Sequence, residues 1–211
     1  MWRTLIIAGA LAGALAGGAA FVRVFRPWHQ RWGATEDEVA AALPGDDLLP
    51  VAEFHPTRAI TIAARPDEVW PWIVQIGYGK AGFYAYDLLD NLGRPSAERV
   101  IPELQDPQVG DWIAMSPTVT DATAFRVTAF ERNRWMLWSK PDSTWSWVLR
   151  PIDGEHTRLV CRIKAKYLWT KPIVLVSLVL LEFGDFFMNR RELLGIKRRS
   201  ETLATARRSP A

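Results

Sequence analysis

The stretch from Thr57 to Leu92 reads TRAITIAARPDEVWPWIVQIGYGKAGFYAYDLLDNL, and it decides the fold. It opens with an alternating run in which Arg58, Ile60 and Ile62 occupy one side and the residues between them the other. Alternation with a period of two is typical of a strand with one buried face. The sequence therefore predicts a β-strand from Thr57 to Ile62.

A helix is predicted directly after this strand. Pro66 suits a first helical position, where no backbone N–H is needed, and acidic residues follow it in the first turn. Apolar residues from Val69 to Ile76 then recur at helical spacing. Pro71 lies inside this pattern, so we expect a kink or a late start there.

Glycines separate this helix from a second, aromatic helix, which we predict over roughly Phe83 to Leu92. The intervening segment Gly77–Gly82 matches the dinucleotide fingerprint G-x-G-x-x-G. That motif needs a strand before it and a parallel βαβ unit around it. Here a helix precedes it, so we interpret the segment as a flexible loop between two helices.

The same stretch carries a resemblance to a known family. The pattern RAITI-A-P-VWPW-VQIGYG-AGFY-YD-LDN, with RPWxxRWGAT and LPGDDLLP upstream and IPELQ, VGD, TRL and GIKRRSE downstream, resembles a membrane-anchored bacterial branch of the SRPBCC (START-like, polyketide-cyclase-like) superfamily. The similarity extends from about Arg26 to Glu201. It implies an α+β helix-grip fold, in which a curved antiparallel sheet wraps round a long C-terminal helix with a cavity between them.

Five later segments are predicted as strands joined by turns, which favours an antiparallel sheet. In the last of them Cys161 belongs to an inner face, whereas Arg158 and Arg162 belong to a face toward water. The five segments are Trp112–Met115, Phe125–Phe130, Arg134–Ser139, Thr144–Arg150 and Thr157–Tyr167.

A final helix is predicted from Pro172. Its first part, Ile173 to Leu181, is apolar but too short to cross a bilayer, so we expect it to be buried. From Arg199 onward the apolar pattern is lost, and the chain is expected to fray. Between these parts, one helix face is predicted to contain Phe183, Phe186, Phe187, Arg190, Leu193 and Leu194.

The N-terminal segment Thr4–Val22 is uncharged and lies between Arg3 and Arg23. At about 1.5 Å per residue it just spans a hydrocarbon core of about 30 Å, so we expect a transmembrane helix. A cleaved signal peptide, with a small-residue site at Ala14–Ala16, is the alternative. The basic residues that follow favour a single-pass protein of the cell membrane with its domain on the cytoplasmic side.

These patterns predict a domain organisation of four parts: a membrane anchor over 1–25, a connector over 26–56, a START-like domain over 57–200 and a disordered tail over 201–211. The whole formal net charge of +3 arises from the residues after position 181. A modest basic tail favours an anionic membrane surface over nucleic acid.

Metal and nucleophile chemistry find little support in the sequence. The single cysteine, Cys161, excludes an internal disulfide and a cysteine-based metal site, and it is expected to be a small buried hydrophobe. His29, His55 and His156 are scattered, so we expect neither a metal site nor a catalytic triad. No cofactor is predicted.

The eleven tryptophans exceed what a domain of this size needs for packing. Large amphipathic rings suit the wall of a cavity. The predicted function is therefore the binding of a hydrophobic small molecule or lipid without chemistry. Arg190 is expected to reach the surface or, as the alternative, to meet an anionic head group. The predicted cavity residues are Trp72, Gln75, Tyr84, Tyr86, Trp112, Trp145, Trp147, Cys161, Phe183, Phe187 and Arg190.

Two other functions stay open at this point. One is an enzyme of the polyketide cyclase or dehydratase kind, in which Tyr84 or Tyr86 and a carboxyl group of Asp87, Asp90 or Asp111 would transfer protons inside an apolar cavity. The other is an interaction protein whose cavity is packed shut.

Overall fold

A computed structural model describes residues 2–167, 169 and 174–208. A six-stranded antiparallel sheet has the strand order β1-β6-β5-β4-β3-β2, and a long C-terminal helix packs against it. The strands are β1 (Thr57–Ile62), β2 (Trp112–Ala114), β3 (Ala124–Glu131), β4 (Trp135–Lys140), β5 (Ser143–Pro151) and β6 (Thr157–Ala165). The α-helices are α1 (Trp2–Ala20), α2 (Arg26–Gln30), α3 (Glu36–Ala40), α4 (Pro66–Val74), α5 (Asp87–Asp90), α6 (Val174–Val179) and α7 (Asp185–Arg208). This α+β arrangement is the predicted helix-grip.

The opening strand and the first helix of the deciding stretch are confirmed. β1 pairs antiparallel with β6, from Thr57 opposite Arg162 to Ile62 opposite Thr157. The helix α4 begins at Pro66 and continues through Pro71 to Val74. This helix packs against α7. The stretch therefore supplies both an edge strand of the sheet and a helix that borders the C-terminal helix.

The second aromatic helix predicted over Phe83–Leu92 is wrong for most of its length, since only Asp87–Asp90 is helical. Tyr84 has a positive φ of 59°, which a right-handed helix does not allow. A Cβ atom at Gly195 of α7 would lie 2.4 Å from the Tyr84 carbonyl oxygen. The close approach of this segment to α7 thus overrides its helical pattern.

The face of β6 that was predicted to meet water is covered instead. Arg158 Nε donates to Glu38 Oε1 at 2.7 Å, and Arg162 Nη1 donates to Asp46 Oδ2 at 2.6 Å. Arg162 is only 8% exposed. The connector before β1 therefore lies on the sheet, and its acidic residues pair with the basic face.

The C-terminal region also differs from the prediction. Pro172 and Ile173, where the final helix was expected to begin, lie outside the described residues. Leu180 is 60% exposed, so the expected burial of this apolar segment is wrong at that position. The helix then continues to Arg208 with Ala204 fully buried, which contradicts a disordered tail over these residues.

At the N-terminus, α1 is followed by a π-helical turn over Phe21–Phe25 and by α2. Among the described residues, no helix combines the length and apolar character that crossing a membrane requires.

Candidate functional site

A cavity of about 710 Å³ opens between the start of α7, the sheet at Trp145 and the segment Phe83–Asp90. It lies where the helix-grip resemblance implied one, between the sheet and the C-terminal helix. A smaller cavity of about 310 Å³ adjoins it and shares Met115, Trp145, Leu180 and Asp185. The larger one is lined by Phe83, Ala85, Tyr86, Leu89, Asp90, Met115, Trp145, Leu180, Gly184, Asp185, Phe187, Met188, Asn189 and Glu192.

Trp145 forms the wall on the side of the sheet. Its ring stacks on Trp147 with the centroids 5.1 Å apart, and its indole Nε1 donates to Cys161 Sγ at 3.0 Å. Burial is the main cause that raises the pKa of the Cys161 thiol to about 12. The thiol is thus a neutral packing group that fixes the orientation of the wall tryptophan.

A polar cluster lies at the base of the cavity and begins at β1. Arg58, which is 1% exposed, donates from Nη1 to Asp185 Oδ2 at 2.6 Å and to Asn189 Oδ1 at 3.0 Å. Because the amide oxygen of Asn189 is held by Arg58, its nitrogen faces Glu192 and donates to Oε2 at 3.2 Å. The β1 arginine therefore orients the side chains at this end of the cavity.

Glu192 is the unusual member of this cluster. It is 2% exposed, and its Oε1 has no hydrogen-bond partner among the residues that the structure describes. Burial, together with the charges of Asp90 and Asp185, raises the pKa of Glu192 well above its ordinary range. A carboxyl group of this kind stays protonated when ordinary glutamates are ionised.

Asp90 brings a second carboxyl group to the cavity from α5. Its Oδ2 accepts from the Tyr86 backbone N–H at 3.1 Å, whereas its buried Oδ1 has no partner in the described part of the chain. Burial first, and then the charge of Asp87, raises the pKa of Asp90. Two carboxyl groups with unpaired oxygens therefore belong to one otherwise apolar cavity.

Of the eleven predicted cavity residues, three line the cavity: Tyr86, Trp145 and Phe187. Trp147 and Cys161 are fully covered behind Trp145. The rings of the sheet therefore mostly fill the core, and a single indole reaches the cavity.

Trp72, Gln75 and Tyr84 form a separate buried cluster and do not line the cavity. Gln75 Nε2 donates to the Tyr84 hydroxyl at 2.9 Å, and this hydroxyl donates to the Trp72 carbonyl oxygen at 3.1 Å. Gln75 Oε1 accepts from the Ile101 backbone N–H at 2.9 Å. Burial raises the pKa of Tyr84. These groups satisfy one another and join α4 to the segment that follows it.

The remaining predicted residues also lie away from the cavity. Trp112 is on the edge strand β2, under the guanidinium of Arg126 at 3.5 Å. Phe183 is 42% exposed and stacks on Phe21 at 5.2 Å. Arg190 is exposed and lies 5.1 Å above the Trp32 ring. The expectation that Arg190 reaches the surface agrees with this position.

The aspartates that would transfer protons in an enzyme also differ in whether they line the cavity. Asp87 accepts a hydrogen bond from the Ser96 hydroxyl and does not line the cavity. Asp111 accepts from the Gln108 backbone N–H at 2.8 Å within a turn. Asp90 alone among them reaches the cavity.

Sequence reasoning missed Asp185, Asn189 and Glu192. They are spaced i, i+4 and i+7, so they form one polar stripe on α7. That spacing was the available signal, but polar residues at helical spacing are more typical of a solvated face. Within the described residues, no group of three His, Cys, Asp or Glu side chains could hold a metal ion.

No protein-family model matches the sequence, and no curated protein is significantly similar to it. Solved structures with a similar chain path include the polyketide-cyclase-like protein Cgl2372 from Corynebacterium glutamicum, with 18% identity, 77% of this chain and 100% of that chain covered, and a TM-score of 0.40. The Zhui aromatase/cyclase from Streptomyces sp. R1128 has 14% identity, coverages of 74% and 98%, and a TM-score of 0.45. Protein CV1439 from Chromobacterium violaceum has 10% identity, coverages of 70% and 98%, and a TM-score of 0.42. Two of these neighbours are thus described as a polyketide-cyclase-like protein and an aromatase/cyclase. The membrane-anchored branch stays a prediction.

Proposed function

We propose that this protein binds an apolar small molecule in the 710 Å³ cavity. The observation that carries the proposal is the combination of a mostly apolar lining with a few convergent polar groups at one end, Asn189, Glu192 and Asp90. Cavities of this size and composition are typical of sites that hold small ligands. The apolar body of the ligand would contact Trp145 and Phe187, and its polar end would meet the carboxyl groups.

A substitution that fills the cavity tests this proposal. Gly184 lines the cavity, and a Cβ atom there would meet its nearest neighbour, Leu180 Cδ2, at an ordinary 3.7 Å. Gly184→Leu should therefore fold and occupy ligand volume. Wild-type protein is expected to bind the uncharged fluorescent probe diphenylhexatriene with a stoichiometry of one, and G184L is expected to lose this binding.

The matched control is Gly154→Leu in the turn between β5 and β6, where an added Cβ meets nothing within 4 Å. It carries the same substitution far from the cavity and should bind the probe as wild type does. Binding that persists unchanged in G184L, or that is absent from wild type, would contradict the proposed cavity.

A second candidate is an enzyme of the polyketide cyclase or dehydratase kind. One observation favours it: the buried carboxyl group of Glu192 holds its proton inside an apolar cavity and could donate it to a bound molecule. The groups first expected to do this, Tyr84 and Asp87, do not line the cavity. Liquid chromatography with mass spectrometry of each bound compound before and after incubation separates the two functions. Only an enzyme changes the retention time (cyclisation) or the mass (loss of water) of the compound in wild type but not in G184L.

The lipid ligand and the membrane partner stay predictions. Exposed apolar side chains at the cavity mouth, Leu89 at 70% and Leu180 at 60%, support a ligand that arrives from an apolar phase.

A further inference from the structure

The charged residues that line the large cavity are all acidic within the described chain: Asp90, Asp185 and Glu192. Arg58 compensates only Asp185, with Nη1 and Oδ2 2.6 Å apart. Asp90 and Glu192 have no cationic side chain within ion-pair distance in residues 2–167, 169 and 174–208. Of the three carboxyl groups that line the cavity, only Asp185 therefore has a cationic partner in the described residues.

Both of these carboxyl groups also have an oxygen atom without a hydrogen bond. Glu192 Oε1 and Asp90 Oδ1 are buried and have no partner in the described part of the protein. Glu192 is 2% exposed, so water reaches it poorly. A buried polar atom without a partner is costly, and each specific case calls for an explanation. A ligand that supplies hydrogen-bond donors to both oxygens would explain the pair.

We propose that the ligand is an amine, bound as an organic ammonium ion whose N–H groups donate to Glu192 and Asp90 while its apolar body lies against Trp145 and Phe187. This inference rests on the proposed function and names its ligand class. An ammonium group carries donors and no acceptor, so it can donate to the ionised carboxyl groups of Glu192 and Asp90. A carboxylate or phosphate has no donor for Asp90 Oδ1.

A neutral carbonyl compound fits less well. Glu192 in its protonated form could donate to a carbonyl oxygen, but Asp90 Oδ1 would then stay without a donor. A donor group with positive charge supplies hydrogen bonds to the unpaired oxygens and also a charge opposite to that of a carboxylate.

Proton exchange is expected to accompany binding. The groups that face Glu192 are Asp185 on its own helix, Asp90 from α5, Cys161 from β6 and Tyr84, with Arg58 of β1 next to Cys161. Burial raises the pKa values of Cys161 and Tyr84, so both stay neutral. The ammonium charge favours the ionised form of Glu192. Binding of an alkylammonium ion is therefore expected to release the Glu192 proton to solvent at a lower pH than in the free protein.

A matched ligand series tests the inference on the full chain. Decylamine, 1-decanol and decanoate share one apolar body and differ in the polar end. Isothermal titration calorimetry at pH 7.5 should show decylamine binding at least tenfold more tightly than decanol, with decanoate weakest. Measurements in two buffers with different heats of ionisation should show proton release when decylamine binds to wild type and none when decanol binds.

Glu192→Gln tests how much the Glu192 carboxyl group contributes to binding. The control is Glu155→Gln, because the side chain of Glu155 is 66% exposed. E192Q should bind decylamine at least tenfold more weakly and without the proton release seen in wild type, and it should lose the preference for decylamine over decanol. A cooperative urea-unfolding transition like that of wild type shows that E192Q has folded. E155Q should match wild type throughout.

Equal affinities for decylamine and decanol, or preference for decanoate, would overturn the amine inference. If these compounds still bind and G184L abolishes their binding, the proposed binding function stands and only the amine inference fails. If neither the series nor diphenylhexatriene binds to wild type, the proposed function fails, and the amine inference fails with it.

Discussion

Two buried glutamates lie ten residues apart near the start of the C-terminal helical region, and their environments differ. Glu182 is 6% exposed and Glu192 is 2% exposed. Burial opposes ionisation at both positions. At Glu182, however, the polar groups of His29, Tyr167 and Arg26 outweigh burial and lower the pKa to about 2. Glu192 has no cationic partner within the described chain, and burial raises its pKa.

The contacts explain this difference. Arg26 Nε lies 2.9 Å from Glu182 Oε1, the Tyr167 hydroxyl donates to the same oxygen, and His29 Nε2 lies 3.5 Å from Oε2. Glu192 receives one hydrogen bond, from Asn189. Burial alone thus does not determine the charge of a carboxyl group. Glu182 joins the N-terminal helices to the C-terminal region, whereas Glu192 retains an oxygen for a ligand.

The largest expected effect is a loss of stability when the carboxylate of Glu182, which pairs with Arg26, is removed. Glu182→Gln removes the charge that Arg26 needs, so the free energy of unfolding at pH 7 should fall by about 3 kcal/mol. The pKa of Glu182 is depressed from 4.5 to about 2, so its stabilisation is fully present above pH 4.5 and is lost as the pH falls toward 2. Urea unfolding at several pH values should therefore show the wild-type and E182Q curves converging in acid.

Glu36→Gln provides the control for that measurement. Glu36 pairs with Arg31 at 3.1 Å, but the side chains of both residues are largely exposed. A surface pair of this kind contributes at most about 1 kcal/mol. If E36Q and E182Q cost the same, the buried cluster has no special role in stability.

Glu192, which has no cationic partner within the described chain, should change the dependence of stability on pH in the opposite direction. The pKa of Glu192 is raised in the folded protein, so the unfolded chain loses this proton at lower pH than the native state does. Stability therefore falls as the pH rises above the ordinary range of glutamate. Glu192→Gln removes this dependence, so at pH 8 it should be more stable than wild type, and the difference should shrink as the pH falls. A wild type that is more stable than E192Q at pH 8 would show that Glu192 is compensated.

The sequence predicted the sheet and α4 because their signals are local. The alternation from Thr57 to Ile62 and the proline start at Pro66 depend only on neighbouring residues, and both appear in the structure. The faces of the C-terminal helix depend on more than spacing. A π-helical turn over Leu180–Gly184 precedes α7. The side chains before α7 are therefore rotated relative to the faces of α7. Phe183 consequently does not share the buried face of Phe186.

The candidate site escaped prediction for a related reason. From the sequence Glu192 resembles a surface residue of a charged helix, but α7 packs against β1, and Glu192 is buried beside Asn189, which accepts from Arg58. The role of Tyr84 was misjudged because the close approach of Gly195 to its backbone is a tertiary contact between distant parts of the chain. The cavity was predictable from the resemblance, but its lining depended on these long-range contacts.

The smallest expected effect concerns Asn189, which connects Arg58 to Glu192. Its amide donates to Glu192 and thereby favours the ionised form, so Asn189→Ala should raise the pKa of Glu192 further. The hydrogen bond to Glu192 accounts for about 0.5–1.5 kcal/mol of the loss, to which the bond from Arg58 adds. The decline of stability with rising pH should therefore continue to a higher pH in N189A than in wild type. The double variant N189A/E192Q separates this coupling from packing losses, because without a titrating group at position 192 the extended decline should vanish. If the extended decline persists in the double variant, Asn189 acts on a different titrating group, and the account of Glu192 as a carboxyl group held by a single hydrogen bond is wrong.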